Sequence, residues 1–170
     1  MANTVSMPVW QHAKGGLCLT GVGCAEFLDA PMTAFFSSRT CPGTAIRAAM
    51  AWAITQAKAH QIIVSGFHST LEQSVLKVLL AAHSPAVPVL ARPVLGVTLP
   101  PEWSAAITDG QLAVVSASTK NMRLTSAVAM QRNNVVVAMA TTIVVAHAEP
   151  GGGLSAQCHA WAADHEIQFL

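Results

Sequence analysis

The sequence predicts an α/β fold: a Rossmann-like three-layer domain with a mainly parallel sheet and helices on both faces. Three observations carry that prediction. Short apolar runs alternate with segments of helical periodicity, the pattern that a parallel sheet with crossover helices leaves in a sequence. Runs such as Ile62-Ile63-Val64 and Ile143-Val144-Val145 lack polar alternation, as strands buried on both faces do. Polar and glycine residues gather where strands hand over to helices.

Residues 1–30 read as an arm packed on the domain, and 31–170 as the domain itself. The arm holds Gly15-Gly16, Leu17-Cys18-Leu19, Gly21 and Gly23, with room for one edge strand. Thr33–Ser37 is the first strand of the domain. Pro42, suited to a first helical position that needs no N–H, opens a helix running to Ala59. Ile46, Met50, Ala53, Ile54 and Ala57 recur at its helical spacing and predict its buried face. Gln61–Ser65 is a second strand. Ser69 or Thr70 caps the next helix, Glu72 supports its first turn, and Leu71, Val75, Val78 and Leu79 form its inward stripe.

Val87–Ala91 is a third strand, tolerating Pro88 near its start. A proline-rich loop from Pro93 to Trp103 leads through a short helix to strand Leu112–Ser116. A helix over Leu124–Ala140, strand Thr142–Ala146, a glycine-rich turn, a helix over Leu154–Ala163 and a last strand Ile167–Leu170 complete the chain. Ile62–Val64, Val87–Leu90 and Ile143–Val145 are expected to be central and buried.

Composition narrows the functional classes. Hydrophobic residues make up 52% of the 170 residues and charged ones 10%, which excludes a solvating, disordered chain. The longest weakly polar stretch, Val135 to Ala148, falls short of the ~20 apolar residues of a spanning helix. Neither that stretch nor the Met-Ala-Asn-Thr-Val start suggests a membrane or secretory route, so a cytoplasmic protein is expected. A formal net charge of +1 excludes a broad basic surface, so any polyanion site is local, built from few arginines and backbone amides. Cys18, Cys24, Cys41 and Cys158 form no C-x-x-C pair, so free thiols are expected, with no metal site and no cofactor. With so few charges to coat its helices, the chain is expected to form a homodimer or larger homo-oligomer.

Ligands of an open parallel sheet sit outside the carboxyl ends of its strands, and three junctions there carry suitable chemistry. Ser37-Ser38-Arg39-Thr40-Cys41-Pro42-Gly43 offers hydroxyls, a guanidinium and free helix amides to a phosphate or carboxylate; the bland alternative is a capped turn with an exposed arginine. In Ser65-Gly66-Phe67-His68-Ser69-Thr70, Gly66 permits close backbone approach and Ser69 caps or binds, while His68 reads equally as a ligand contact or a loop residue. Glu149-Pro150-Gly151-Gly152-Gly153-Leu154-Ser155 suits a backbone cradle around phosphate, or else a glycine-rich helix cap. Within the helix before strand Thr142–Ala146, Gln131-Arg132-Asn133-Asn134 interrupts an apolar pattern, and Arg132 either reaches the crevice or marks the exposed face. Cys41, at a helix N-terminus, reads as a structural or capping thiol ahead of a reactive one of lowered pKa. No Gly-x-Ser-x-Gly elbow, paired carboxylates or complete Gly-x-Gly-x-x-Gly fingerprint is present, so no catalytic residue is assigned.

Phe36-Ser37-Ser38-Arg39-Thr40-Cys41-Pro42-Gly43, Ser65-Gly66-Phe67-His68-Ser69, Arg132-Asn133 and the turn at Pro150, in this order, resemble the Rossmann domain of the DNA-processing protein A (DprA/Smf) family. The resemblance is closer still to a short, stand-alone branch within the superfamily that joins DprA with the Lonely Guy (LOG) proteins. It covers residues 15 to 170 and implies a pocket for single-stranded DNA phosphates lined by Ser38, Arg39, Gly66, His68 and Arg132. Against that family's pattern, neither a separate N-terminal helical domain nor a winged-helix tail is expected within these 170 residues. Lonely Guy enzymes cleave nucleoside monophosphates with a glutamate after their glycine turn; here the comparable position holds Cys158, preceded by Gln157. The resemblance therefore implies a module that binds a nucleotide or single-stranded nucleic acid in DNA processing. A nucleotide hydrolase with a substituted site and a structural dimeric scaffold are the alternatives.

Overall fold

The computed structural model describes residues 7–170; the first six residues of the expected arm lie outside the described residues. The chain runs β1 (Trp10–Lys14), β2 (Leu17–Gly23), a 3₁₀ turn (Ala25–Asp29), β3 (Met32–Ser37), α1 (Gly43–Lys58), β4 (Ile62–Ser65) and α2 (Thr70–Ala81). It continues through β5 (Ala86–Pro88), α3 (Pro101–Thr108), β6 (Ala113–Ser116), α4 (Ser126–Met139), β7 (Thr142–His147), α5 (Gly153–Trp161) and β8 (Ile167–Phe169).

Five strands form a parallel sheet in the order β5-β4-β3-β7-β8, with β3 at its centre. Strands β1, β2 and β6 pair antiparallel. Parallel bridges from Ala86 to Leu112 and from Val89 to Val115 join β5 to β6, so both groups belong to one surface. The expected arm thus contributes two strands where the sequence suggested one. Their pairing is held by Trp10, whose Nε1 donates to the Gly23 carbonyl at 3.0 Å. Gly21 makes room for that ring, since a Cβ there would lie 2.4 Å from the indole.

Successive strand residues face opposite layers. Phe35 packs with α1, α2 and α3 on one side, in a cluster including Ala53, Val75, Leu79 and Ile107. Phe36 packs with α4 and α5 on the other, among Val136, Val137, Met139 and Trp161. Ile63, Val64, Val87, Ile143, Val144 and Val145 are all buried, as expected of central strands.

Helix α1 differs from its sequence reading. Its sheet-facing stripe is Ala45, Ala49, Ala53 and Ala57, while Ile46 and Ile54 are 42% and 48% exposed. The expected and observed faces share Ala53 and Ala57, but Ile46, Met50 and Ile54 lie one position past Ala45, Ala49 and Ala53, and periodicity alone cannot separate the two. The alanine face wins because small side chains let the helix approach the sheet, where Trp52 stacks on Phe35 with ring centroids 5.0 Å apart. Among the described residues, no helix is long and apolar enough to cross a membrane.

The connections set up a site. From β3 the chain steps outward through β4 and β5 to β6, then α4 returns it to β7 on the other side of β3. The loops leaving β3 and β7 therefore diverge to opposite faces, and a crevice opens between them.

Candidate functional site

A crevice of about 810 Å³ lies at this switch point. Ser37, Ser38, Arg39 and Thr40 line it from the end of β3; His68, Ser69 and Glu72 from the β4–α2 junction; Arg132 and Asn133 from α4; Glu149, Gly152, Gly153 and Gln157 from the β7–α5 junction. Of the residues singled out in the sequence, Ser37, Ser38, Arg39, His68, Ser69, Arg132, Gly152 and Gly153 line this one space. Gly66 lies directly behind Arg132. Gly43, Gly151 and Ser155 stand back from the wall: Gly43 opens α1 with open space around it, Gly151 makes its turn at φ +76°, and Ser155 is half-buried on α5.

The rims are tied by hydrogen bonds that the sequence did not announce. Glu72 is buried, and its carboxylate accepts from the backbone N–H of Ser37 at 2.9 Å, of His68 at 3.0 Å and of Ser69 at 3.2 Å. Ser69 returns the bond, its Oγ accepting from the Glu72 N–H at 3.2 Å, so α2 begins in a complete capping box. The Ser37 and Ser69 hydroxyls meet at 2.7 Å. One carboxylate thus fastens the end of β3 to the start of α2. The signal was Ser69-x-x-Glu72, which reveals the cap but not the reach to Ser37.

Ser38 makes the second tie. Its N–H donates to the His147 carbonyl at 2.9 Å, and its Oγ accepts from the Glu149 N–H at 2.8 Å. A register shift between Phe36 and Ser37 against β7 brings these groups together. Phe67, at φ +46°, sits in the left-handed region and turns its ring into the core, while its N–H donates to Ser65 Oγ at 3.1 Å. Gly66 and the exposed His68 are left on the crevice side.

Arg132 is the half-buried cation of the site. A Cβ on residue 66 would lie 2.5 Å from its Nε, so glycine is what admits the guanidinium. Nη2 donates to Asn133 Oδ1 at 3.3 Å, whereas the buried Nε finds no hydrogen-bond partner among the described residues. Burial pushes the Arg132 pKa below its ordinary value, and the Glu72 charge pulls the other way. It remains a cation at neutral pH, because the guanidinium does not lose its proton in proteins.

Gln157 and Asn133 brace this arginine. Gln157 Oε1 accepts from Asn133 Nδ2 at 3.0 Å, and its Nε2 donates to the Met130 carbonyl at 2.9 Å. Helix α5 follows Gly152 with no side-chain cap, and Gly152, Gly153 and Leu154 at its start line the crevice, where the first helical amides lack an intrahelical acceptor. Arg39 is exposed at the opposite rim and forms no ion pair among the described residues.

Of the two readings of Cys41, the environment sides with the structural thiol over the reactive one. Burial pushes the Cys41 thiol up, with Glu72 and Glu149 adding to it and a hydrogen bond to Ser37 opposing it; its Sγ donates to the Ser38 carbonyl at 3.3 Å. The helix terminus therefore does not make it a low-pKa thiol. Cys158 is 6% exposed and packs in the core beneath α5 rather than on the crevice wall. Among the described residues, no three His, Cys, Asp or Glu side chains are grouped to hold a metal ion.

The chain that carries this crevice also matches a known family in sequence. The description DNA recombination-mediator protein A matches residues 10–170. The chain belongs to that family. A comparison with curated proteins found no match. Among solved structures, DNA processing protein A from Helicobacter pylori is similar with a TM-score of 0.77 at 15% identity, covering 98% of this chain and 82% of that one. That structure is described by its single-stranded DNA binding mode. The protein of the same name from Streptococcus pneumoniae gives a TM-score of 0.72 at 18% identity over 89% of this chain. The chain spans about half of that protein, 54% of its length. The Moco carrier protein of Chlamydomonas rheinhardtii is similar at a TM-score of 0.50 and 12% identity, covering 82% of this chain and 74% of that one. At these identities the structures speak for the fold, and the family match speaks for kinship.

Proposed function

We propose that this family member is a non-catalytic module that binds single-stranded DNA, holding a backbone phosphate in the crevice between the ends of β3, β4 and β7. The observation that carries the reading is Arg132: a half-buried cation with no carboxylate partner among the described residues, lining the same crevice as the uncapped start of α5. A phosphate there satisfies the guanidinium and the free amides together. Arg39 adds a second charge at the rim. Ser37, Ser38, Ser69, Gly152 and Gly153 shape the cradle, and Gly66 seats the arginine.

Charge placement supports the same reading despite the small net charge. Arg39, Arg92, Lys120, Arg123 and Arg132, five of the nine basic residues, lie on the carboxyl side of the sheet, after β3, β5, β6 and within α4. Family membership and the single-stranded DNA binding described for the Helicobacter protein point the same way. Hydrolysis is left out of the proposal because Glu72 is occupied by three amides and Cys158 is buried away from the crevice. The proposal extends to a cytoplasmic homodimer, favoured by the outward stripe of Ile46 and Ile54 on α1.

Fluorescence anisotropy with a labelled oligothymidylate tests the reading. Saturable binding that weakens with salt and falls for a duplex of equal length is expected, with no free base released from nucleoside monophosphates. Absence of binding at low salt overturns it. Light scattering tests the dimer, which a monodisperse monomer at micromolar concentration overturns.

A further inference from the structure

We propose that a second, smaller pocket on the far side of Arg132 is a nucleobase subsite, so that one nucleotide straddles this arginine; the proposal rests on the phosphate reading above. The pocket has a volume of about 160 Å³. That is close to an apolar cavity of about 150 Å³ that takes up benzene, enough for one flat heterocycle and too little for a folded strand. Its walls are Leu90, Ala117, Met122, Val128 and Val135, closed on one side by Arg132.

Three features point to a base. Arg132 is the one side chain common to the walls of the large crevice and this pocket, so the two spaces adjoin at this arginine. A nucleotide has the same layout, an anionic phosphate a few bonds from an apolar ring. The lining is aliphatic with polar groups only at Ser118, Gln131 and Arg132, the composition that accepts a flat ring and leaves donors and acceptors for its edge. Arginine planes and apolar side chains both stack on bases regardless of sequence.

Met122 is the third feature. It is 58% exposed, a large apolar side chain standing at the pocket on the loop between β6 and α4. A base seated there covers it. Lys120 and Arg123, both exposed, flank it in sequence and supply charge where a following phosphate would pass.

The test compares a short oligothymidylate with an abasic oligomer of the same length and phosphate count, against the parent and Ala117→Phe, which fills the pocket with a ring of its own. The parent is expected to bind the thymidylate about tenfold tighter than the abasic strand, within the range for one stacked base. Ala117→Phe is expected to bind both strands at the abasic level of the parent. Met122→Ala, at an exposed position that does not endanger folding, is expected to lose part of the preference and keeps the test open if Ala117→Phe does not fold. Equal binding of the two strands by the parent, or a preference that survives both substitutions, overturns the subsite while leaving the phosphate reading intact. Failure of the parent to bind either strand overturns the phosphate reading itself.

Discussion

Two strand-to-helix junctions border the crevice and treat their donors in opposite ways. At the β4–α2 junction Ser69 caps the helix, and Glu72 collects the amides of Ser37, His68 and Ser69. At the β7–α5 junction Gly152 offers no side chain, and the first amides of α5 stay open. Both are helix N-termini at the same sheet edge, with the same partial positive charge. The first has been consumed by the fold and acts as scaffold; the second is left without a side-chain cap. The two charged side chains repeat the contrast. Glu72 has its oxygens filled, and Arg132 has a donor to spare.

The largest effect is expected where the fold has used its donors. Glu72→Ala strands three backbone N–H groups that have no replacement acceptor nearby. Each costs about 1–3 kcal/mol if left buried, and local relaxation toward water recovers part of the total for His68 and Ser69. A loss of about 3–4 kcal/mol of stability is expected in chemical denaturation, with Glu72→Gln in between. A loss below about 1 kcal/mol would dissolve the contrast between scaffold and receptor.

Arg132 is expected to behave the other way round. Arg132→Met should weaken oligonucleotide binding by about 10- to 100-fold, the range for losing hydrogen bonds to a charged group. Stability should stay level or rise by about 1 kcal/mol, since a half-buried cation without a carboxylate partner is costly. Gly66→Ala sharpens the point: the new Cβ would meet Nε at 2.5 Å and displace the guanidinium from its seat. It should reproduce most of the binding loss with Arg132 still present. Denaturation run alongside anisotropy separates the two quantities.

Why the first junction was read only in part follows from what a sequence records. Strand and helix order was legible because burial on both faces of the sheet writes long apolar runs, as at Ile62–Val64 and Ile143–Val145. The three junctions were legible because serine, glycine and arginine are conspicuous in so apolar a chain. The reach of Glu72 to Ser37 was not, since it joins residues 35 positions apart. Nor was the outward turn of Ile46 and Ile54, because tight packing of α1 on the sheet favours alanine over larger residues, and a periodicity search weights the larger ones. Strand β1 was missed for a related reason. Its burial depends on Trp10 reaching across to Gly21, a contact made only after β2 has paired.

Arg39 tests the rim of the open junction. It is exposed, so its contribution should lie near the low end of the ~1.5–3 kcal/mol for hydrogen bonds to charged groups. Arg39→Ala should cost about tenfold in affinity at low salt and leave stability unchanged. Single-stranded DNA binding loses about 0.7 in the logarithmic salt slope for each phosphate contact removed. The slope should therefore flatten by about that amount, whereas Arg132→Met should lower affinity at every salt concentration because its site is shielded. An unchanged slope for Arg39→Ala would take Arg39 off the DNA path.

The smallest effect comes from making the open junction resemble the closed one. Gly152→Ser places a hydroxyl at the cap of α5, where it can accept from the amide of Ser155 as Ser69 does for α2. The backbone permits this, since Gly152 has φ −83°; a Cβ there would lie 3.1 Å from the Glu149 carbonyl, so that turn must give slightly. Serine improves on glycine as a cap by only a few tenths of a kcal/mol, and the strained contact offsets part of it. Thermal unfolding should therefore barely move. Binding should nonetheless fall two- to fivefold, because a phosphate must now compete with the new hydroxyl for an amide that was free. Affinity unchanged beside an intact fold would mean that α5 contributes no amide to the ligand, and that the cradle rests on the two arginines alone.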